Sequence, residues 1–266
     1  DFLENKAGIT QEEIDSFMIS LYPDGYYDYK AGKERIEAIL NNKMEIIDKD
    51  KLPKGEEFTF DNGYKSWITA IFVDIRDSST LFQEEDSEKV AKIIRSFTSE
   101  IIEIFREEDD LIREIGIRGD CVYAIYTTPQ KPDIDKIFYK ACTVNTYIKM
   151  LNKLLINNGY EEIKIGIGMA TDKELVIKAG RKTSGINAKV WIGKAVTEAA
   201  NLSGVANKGL NFHHIAIAPI TYNNLNEQNK ELCKQDTYYR NNSLITYYKA
   251  DAVYTDVVEW INNGME

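Results

Sequence analysis

Two aspartates lie where predicted β-strands end, a position from which acidic side chains can bind metal ions. Asp74 closes a continuous apolar run that begins at Trp67, and Asp120 lies in the turn between two further predicted strands. If that hairpin pairs beside the first strand, the two carboxylates converge. Carboxylate oxygens are hard ligands that suit Mg²⁺ or Mn²⁺. Two such ions, roughly 3.5–4 Å apart, stabilise an in-line displacement at phosphorus.

A short polar segment follows Asp74 and contains Asp77, Ser78 and Ser79. Backbone N–H groups in such a segment can meet phosphate oxygens before the next helix begins. We interpret Asp77 as a turn or capping residue. An aspartate at a strand end, taken alone, is also more often a cap or a turn residue. It is therefore the pairing of Asp74 with Asp120 that favours a metal site.

The apolar pattern around these aspartates predicts an α+β domain. The predicted elements are, in order, strand 67–74, helix 87–107, hairpin 111–117 and 121–126, helix 134–156, and strands 163–169 and 175–179. This β-α-β-β-α-β order is typical of a ferredoxin-like fold. Further along, we predict helix 194–205, strand 212–218, helical residues 219–234, a hairpin of 236–240 with 244–249, and helix 251–261.

The first 60 residues are predicted to form a helical extension before a domain that spans residues 61–266. Residues 10–13 match a capping box, which predicts a helix from there to about residue 21. Residues 32–48 carry Ile36, Leu40 and Met44 at helical spacing, which predicts a second helix.

The composition excludes several classes of protein. A formal net charge of -10 argues against nucleic-acid binding, which needs a basic surface. Three cysteines without a CxxC pair favour free thiols over a disulfide framework or a zinc site. The two histidines, His213 and His214, are adjacent and would point to opposite sides of a strand. Chemistry that needs a histidine base with an orienting partner is therefore not expected.

The chain is expected to be soluble and cytoplasmic, with no membrane partner. It has no run near the roughly 20 apolar residues that a membrane-spanning helix needs. The segment given first lacks the basic and apolar regions of a signal peptide.

Three short segments resemble the class III adenylate and guanylate cyclases. They are AIFVDIRDSS, which contains Asp74, GDCVYAIY, which contains Asp120, and WIGKAVTEAANLSGVA, which begins at Trp191. The resemblance covers about residues 65–220. It implies a ferredoxin-like class III nucleotidyl cyclase domain and a homodimer that shares its active sites. It also implies that Asp74, the Ile75 carbonyl and Asp120 hold two Mn²⁺ or Mg²⁺ ions.

The chain departs from that family at four positions. Thr197 stands at the position of the ribose-orienting Asn, and Asn201 at that of the Arg that stabilises the transition state. Val190 and Gly116 replace the Asp and Lys that read adenine. We expect Asn201 to donate a neutral hydrogen bond in place of the arginine. Charge would then come from another basic residue, and the two candidates are Arg118 and Arg181.

These departures fit the bacterial pyrimidine cyclases of Pycsar anti-phage defence better, which the VDIR and RGD segments also resemble. That resemblance implies UTP as substrate, cyclic UMP as product and a separate effector protein that reads it. Ser78 and Ser79 would meet the phosphates, and Tyr64 and Arg118 are candidate contacts to the base or the phosphates. The open alternatives are a cytidylate cyclase, an adenylate or guanylate cyclase, and an inert nucleotide-binding domain.

Overall fold

The structure, a computed structural model, describes residues 10–13, 15–16, 27–80, 86–107, 110–182, 184–209 and 211–266. The chain divides into two compact units, residues 1–44 and residues 45–266. A domain boundary after residue 60 stays a prediction. Within the second unit, residues 45–48 form a strand, and Leu52 and Phe58 are buried.

The first unit contains helix α1 (Tyr29–Asn41), whose first turn is capped by the Asp28 carboxylate accepting from the Ala31 N–H at 3.0 Å. The capping box at residues 10–13 is confirmed. The Thr10 N–H donates to the Glu13 carboxylate, and the Glu13 N–H donates back to the Thr10 hydroxyl. Most of the helix predicted to follow lies outside the described residues. The helix predicted over residues 32–48 is wrong at its end, because residues 45–48 are a strand.

The second unit is built on one mixed sheet with helices on both faces. Its strands are β1 (Glu45–Asp48), β2 (Asn62–Ile75), β3 (Ile112–Arg118), β4 (Cys121–Thr127), β5 (Ile165–Gly180), β6 (Asn187–Ile192), β7 (Ile215–Ile217), β8 (Lys234–Arg240) and β9 (Ser243–Ala250). Its helices are α2 (Ser87–Arg106), α3 (Lys131–Asn157), α4 (Ala195–Val205), α5 (Pro219–Asn224), α6 (Glu227–Glu231) and α7 (Thr255–Asn262).

The predicted ferredoxin-like core is confirmed. The sheet order is β3-β4-β2-β5-β7-β9-β8, with β1 paired to β2 and β6 paired to β5. β2 lies between β4 and β5 and is antiparallel to both. Its side chains alternate between the two faces of the sheet, as strand geometry requires. Ile71 and Val73 pack in the core beneath α2 and α3, whereas Ile68 and Ala70 pack on the face covered by α4.

Glycines in β5 let α4 lie directly on the sheet backbone. A Cβ at Gly168 would lie 2.0 Å from the Ala199 carbonyl oxygen and 2.2 Å from the Ser203 nitrogen, both in α4. A Cβ at Gly166 would lie 2.2 Å from the Ser203 carbonyl oxygen. Both glycines are therefore required by the close approach of this helix.

The prediction and the structure of the second unit differ in three further places. Strands 163–169 and 175–179 are one strand, β5, because two of the polar residues between them, Thr171 and Glu174, are buried and hydrogen-bonded. The Thr171 hydroxyl lies 2.8 Å from that of Thr69, and Glu174 accepts from the Val196 N–H. The predicted helix 219–234 is two short helices, because Asn226 caps α6 by accepting from the Asn229 N–H. Strand β6 was not predicted from the sequence.

The remaining boundaries agree with the prediction to within five residues, the largest difference being at the start of β2. In the described part of the chain, no helix is long and apolar enough to cross a membrane.

Replacing Gly168 with alanine is expected to lower the free energy of unfolding by about 3 kcal/mol or more, because the new methyl group meets rigid α4 backbone. The matched control is Gly204→Ala in α4, where a Cβ meets nothing within 4 Å. That change should stabilise the protein by about 0.5–1 kcal/mol, since alanine favours a helix. Urea unfolding of both variants measures the difference, and a Gly168→Ala protein as stable as the wild type would contradict the close approach.

Candidate active site

Asp74 is positioned by its place near the end of the central strand. In the strand register it lies opposite Cys121 of β4 on one side and Gly166 of β5 on the other. It lies two residues from Phe72, and so it shares the sheet face that α4 covers. Its side chain is about 30% exposed, so part of it is accessible to a ligand.

Asp120 is held beside Asp74 by a two-residue hairpin turn. Arg118 pairs with Cys121, which leaves Gly119 and Asp120 as the loop between β3 and β4. Gly119 has a φ of 63°, a left-handed conformation that glycine adopts without strain at the first position of such a turn. Because Cys121 is the direct neighbour of Asp74, the adjoining Asp120 reaches the same place. The strand register thus places the two aspartates near each other, near enough for the charge of Asp120 to act on Asp74.

The two carboxylates and their surroundings act on each other electrostatically. Burial raises the pKa of Asp74; the Arg76 guanidinium opposes that shift, and the charge of Asp120 adds to it. Burial also raises the pKa of the Cys121 thiol to about 12, and the negative charges of Asp74 and Asp120 act in the same direction. Both effects favour the neutral thiol, which is a weaker nucleophile than the thiolate.

Arg76 supplies a positive charge at Asp74. Its guanidinium contacts the Asp74 carboxylate and also donates to the Gly204 carbonyl at 3.1 Å. The Arg76 side chain is only 8% exposed. Its Nε is buried and has no hydrogen-bond partner among the described residues. Arg76 therefore joins the end of β2 to the last turn of α4.

The acidic groups available to a metal at this site are a pair. Among the described residues, no cluster of three or more His, Cys, Asp or Glu side chains could hold a metal ion. Asp74 and Asp120 provide two carboxylates, and the backbone carbonyl of Ile75 is the expected third oxygen. This all-oxygen set fits Mg²⁺ or Mn²⁺ and does not fit a zinc site.

The polar segment after Asp74 starts with a tight turn. Asp77 has a φ of 55°, and the Thr80 N–H donates to the Asp77 carbonyl at 3.0 Å. Residues 78–80 have helical geometry, and Ser79 is exposed while Ser78 is half-buried. The structure therefore places both serines a few residues from Asp74, at the beginning of a helical turn.

Thr197 and Asn201 lie one turn apart on α4, so they share one side of the helix. Thr197 is exposed in the first turn, and Asn201 is half-buried. The Asn201 amide nitrogen is buried and has no hydrogen-bond partner among the described residues. Since this nitrogen is buried within the protomer, the side chain would have to rotate before a ligand or a second chain could accept from it.

The structure does not bring Tyr64 or Arg181 to the aspartates of the same protomer. Tyr64 precedes Asp74 by ten residues of one strand, which at roughly 3.4 Å per residue is on the order of 30 Å. It is buried, and its hydroxyl donates to the Glu57 carbonyl at 3.1 Å. Within its own protomer, the predicted contact of Tyr64 with the base or the phosphates thus has no support in the geometry. Arg181 follows the far end of β5, whereas Arg118 lies in β3 next to the turn that holds Asp120.

Sequence reasoning missed Glu174, which caps α4 from the neighbouring strand. Its carboxylate accepts from the Val196 N–H at 3.3 Å, while Lys194 at the helix start makes no side-chain cap. The other carboxylate oxygen is buried without a partner among the described residues. A Cβ at Gly193 would lie 2.5 Å from the Glu174 side chain, so this glycine makes room for the carboxylate. No local pattern reveals this contact, because it joins residues from separate elements.

Comparison with known proteins decides the family. Residues 62–248 match the adenylate and guanylate cyclase catalytic domain. The chain belongs to this cyclase family. The matched residues include both strand-end aspartates and the whole of α4, so the resemblance seen in the three short segments is confirmed.

Two curated relatives and a solved structure resemble this cyclase over most of its length. A uridylate cyclase of Treponema porcinum is 54% identical over 239 residues, covering 90% of this chain and 82% of the relative. A uridylate cyclase of Gulbenkiania mobilis is 31% identical over 222 residues, covering 79% of this chain and 85% of that protein. The crystal structure of the guanylyl cyclase Cya2 superposes with a TM-score of 0.60 at 15% identity, covering 72% of this chain and 95% of that one.

Replacing Glu174 with glutamine is expected to change how stability depends on pH. Burial raises the pKa of Glu174, while the Val196 and Ala195 N–H groups oppose that shift. The wild-type cyclase therefore loses stability as pH rises above the ordinary carboxyl pKa, because the buried carboxyl must ionise. The glutamine variant should match the wild type near about pH 4 and exceed its melting temperature at about pH 8. Thermal unfolding across this range measures it, with the exposed Glu161→Gln as the control. A constant difference between wild type and variant would contradict the argument.

Proposed function

We propose that this cyclase converts UTP to 3′,5′-cyclic UMP and pyrophosphate. The observation that carries the proposal is the 54% identity, over 90% of the chain, to a protein named uridylate cyclase. The paired carboxylates of Asp74 and Asp120 support an active enzyme over an inert nucleotide-binding domain. Those two side chains concentrate negative charge at a strand end, which bound divalent cations would neutralise.

Asp74, Asp120 and the Ile75 carbonyl are the groups that would hold the divalent ions, Mn²⁺ or Mg²⁺ and two in number. The fit rests on the donor set and on charge: Asp120 is close enough for its charge to help raise the pKa of Asp74, after the larger effect of burial. Bound there, such ions would neutralise the triphosphate and lower the pKa of the ribose 3′-hydroxyl. The Arg76 guanidinium, which now contacts Asp74, would have to share that carboxylate with the ions.

The other residues of the site bind and orient the nucleotide. Backbone N–H groups at Ser78 and Ser79 are suited to the phosphate oxygens. Arg118 extends from β3 beside the Asp120 turn and can offset charge that develops on the phosphates. The 3′-oxygen attacks the α-phosphorus in line and pyrophosphate leaves, so no protein nucleophile is needed. Positioning and electrostatics carry the catalysis.

We infer that the active unit is a homodimer whose sites are shared between protomers. Thr197 would orient the ribose, and Asn201 would donate its amide N–H to the phosphate in the transition state. The Asn201 amide nitrogen has no partner among the described residues, and this supports a role in which the side chain rotates to donate to a ligand. Arg181, far from the aspartates of its own protomer, would reach the triphosphate only across such an interface.

The product would act as a second messenger in anti-phage defence and would be read by a separate effector protein. Cyclic UMP is a small, diffusible molecule. It can therefore reach a separate effector, and this chain would need no second catalytic centre to carry out the response. This part of the proposal rests on the resemblance to the pyrimidine cyclases of Pycsar systems.

Product identification tests the substrate. Purified protein is incubated with ATP, GTP, CTP and UTP plus Mn²⁺, and the cyclic products are identified by mass spectrometry. Cyclic UMP as the dominant product is expected. If cyclic CMP, AMP or GMP is dominant instead, the substrate is CTP, ATP or GTP, and the metal-binding roles are unaffected. No cyclic product from any nucleotide would instead indicate an inert binding domain.

Asp74→Asn and Asp120→Asn are each expected to lower the rate of cyclic UMP formation by about 100-fold or more, since each removes a charged ligand at unchanged volume. The matched control is Asp77→Asn, an exposed position whose left-handed backbone asparagine tolerates well. It should keep most of the activity. Circular dichroism verifies that all three variants fold, and an active Asp120→Asn protein would contradict the metal-binding role.

Mixing two inactive variants tests the shared sites. Asp120→Asn and Asn201→Ala proteins, unfolded together and refolded, form heterodimers in which one of two sites is intact. About one quarter of wild-type activity is expected, because half of the dimers are mixed and each has one working site. Activity that stays at the level of the separate variants would contradict the shared-site dimer.

A further inference from the structure

A tyrosine ring fills the space over Gly116. Gly116 of β3 pairs with Tyr123 of β4, and a Cβ added at Gly116 would lie only 2.4 Å from the Tyr123 ring and its hydroxyl. The strand register fixes this pairing, since it follows from the two-residue turn at Gly119 and Asp120. Any side chain at position 116 would therefore require Tyr123 to move.

Tyr123 is held in this place from two sides. Its ring stacks on that of Phe72 in the neighbouring strand, with centroids 5.0 Å apart and planes 11° from parallel. Its hydroxyl donates to the Glu114 carboxylate at 2.8 Å. Burial raises the pKa of Tyr123 to about 12, and the bond to Glu114 adds to the shift. The hydroxyl therefore stays protonated and remains a donor at neutral pH.

The same glutamate also fixes a residue from a distant part of the chain. The Trp191 indole N–H donates to the second oxygen of the Glu114 carboxylate at 2.9 Å. Trp191 lies in β6, next to Val190. One carboxylate thus joins the strand that contains Gly116 to the strand that contains Val190. These are the two positions at which the chain departs from the residues that read adenine.

These side chains lie on the face of the sheet that carries the active site. Phe72 shares that face with Asp74, two residues away on β2, and Tyr123 is two residues from Cys121 on β4. The side chains of Phe72, Tyr123 and Trp191 are all half-buried, so each keeps part of its surface open to a ligand. Arg118 is close enough to act electrostatically on the Tyr123 hydroxyl.

We propose that Tyr123 determines specificity by volume: the ring fills the space that the second ring of a purine would need, and so restricts the site to one-ring bases. Glu114 is a positioning residue that holds Tyr123 and Trp191. The inference rests on the proposed function, because it concerns the base of the same nucleotide. A pocket of restricted size rejects larger substrates but separates uracil from cytosine poorly, since these bases have the same size. UTP must then be chosen over CTP by other groups.

The test is a competition between nucleotides. Wild-type protein and the variants Tyr123→Ala, Tyr123→Leu and Tyr123→Phe each receive equal concentrations of all four nucleoside triphosphates, and cyclic products are quantified together. Tyr123→Ala and Tyr123→Leu are expected to raise the ratio of purine to pyrimidine products by about tenfold or more. Tyr123→Phe keeps the volume and should keep the ratio. The ratio of cyclic UMP to cyclic CMP should not change in any variant.

The product ratio separates specificity from stability, because a protein that merely folds less well loses all products in the same proportion. Tyr239→Ala, which removes a tyrosine that is 79% exposed at another edge of the sheet, is the matched control and should leave the ratio unchanged. Glu114→Ala frees both Tyr123 and Trp191 and should raise the purine share by less than Tyr123→Ala does.

An unchanged purine share in both Tyr123→Ala and Tyr123→Leu would overturn the proposal. Should Tyr123→Ala not fold, the result of Tyr123→Leu decides. Failure of the proposed function is a separate outcome, since it would be seen in the wild-type protein as the absence of cyclic UMP.

Discussion

The position of β2 between β4 and β5 is the constraint on which the site depends. One register places Asp74 opposite Cys121 and Gly166 at the same time. The first pairing brings Asp120 to Asp74, and the second brings α4 over the same strand end. A slip of one residue would move every β2 side chain to the other face and would separate the two carboxylates. The buried core beneath α2 and α3 prevents such a slip, because Ile71 and Val73 must stay inside.

This arrangement is energetically unfavourable for the folded protein, because it places negative charges close together. Two carboxylates approach each other, and burial adds to the cost of ionising Asp74. Sequences that fold well usually avoid such conflicts, and the exceptions cluster at functional sites. Arg76 offsets part of the cost, and its second contact to the Gly204 carbonyl connects the strand end to α4. The charge of the site and the placement of the helix that carries Thr197 and Asn201 are therefore physically linked.

The tertiary structure explains how the chain packs around Gly116, one of the positions at which it departs from the cyclase pattern. Gly116 does not leave a gap, because Tyr123 from the adjacent strand occupies the space. Glu114 then finds donors in Tyr123 and Trp191, so the region is packed and its carboxylate is satisfied. The region around Gly116 is thus filled by side chains that pack together and hydrogen-bond with one another.

The sequence by itself determined the order of the core elements and the two strand-end aspartates. Those features depend on local periodicity, on turn residues and on short motifs, which neighbouring residues encode directly. It also indicated Thr197 and Asn201 as a pair on one helix, because four residues make one helical turn.

Only the tertiary structure decided the rest. β5 continues through polar residues because Thr171 and Glu174 find partners in other elements, and Tyr64 proves to be a core residue far from Asp74. The links from Glu174 to α4 and from Glu114 to Trp191 join residues that are 22 and 77 positions apart. Such contacts arise from strand register and packing, and no local pattern in the chain records which distant residue will satisfy a buried carboxylate.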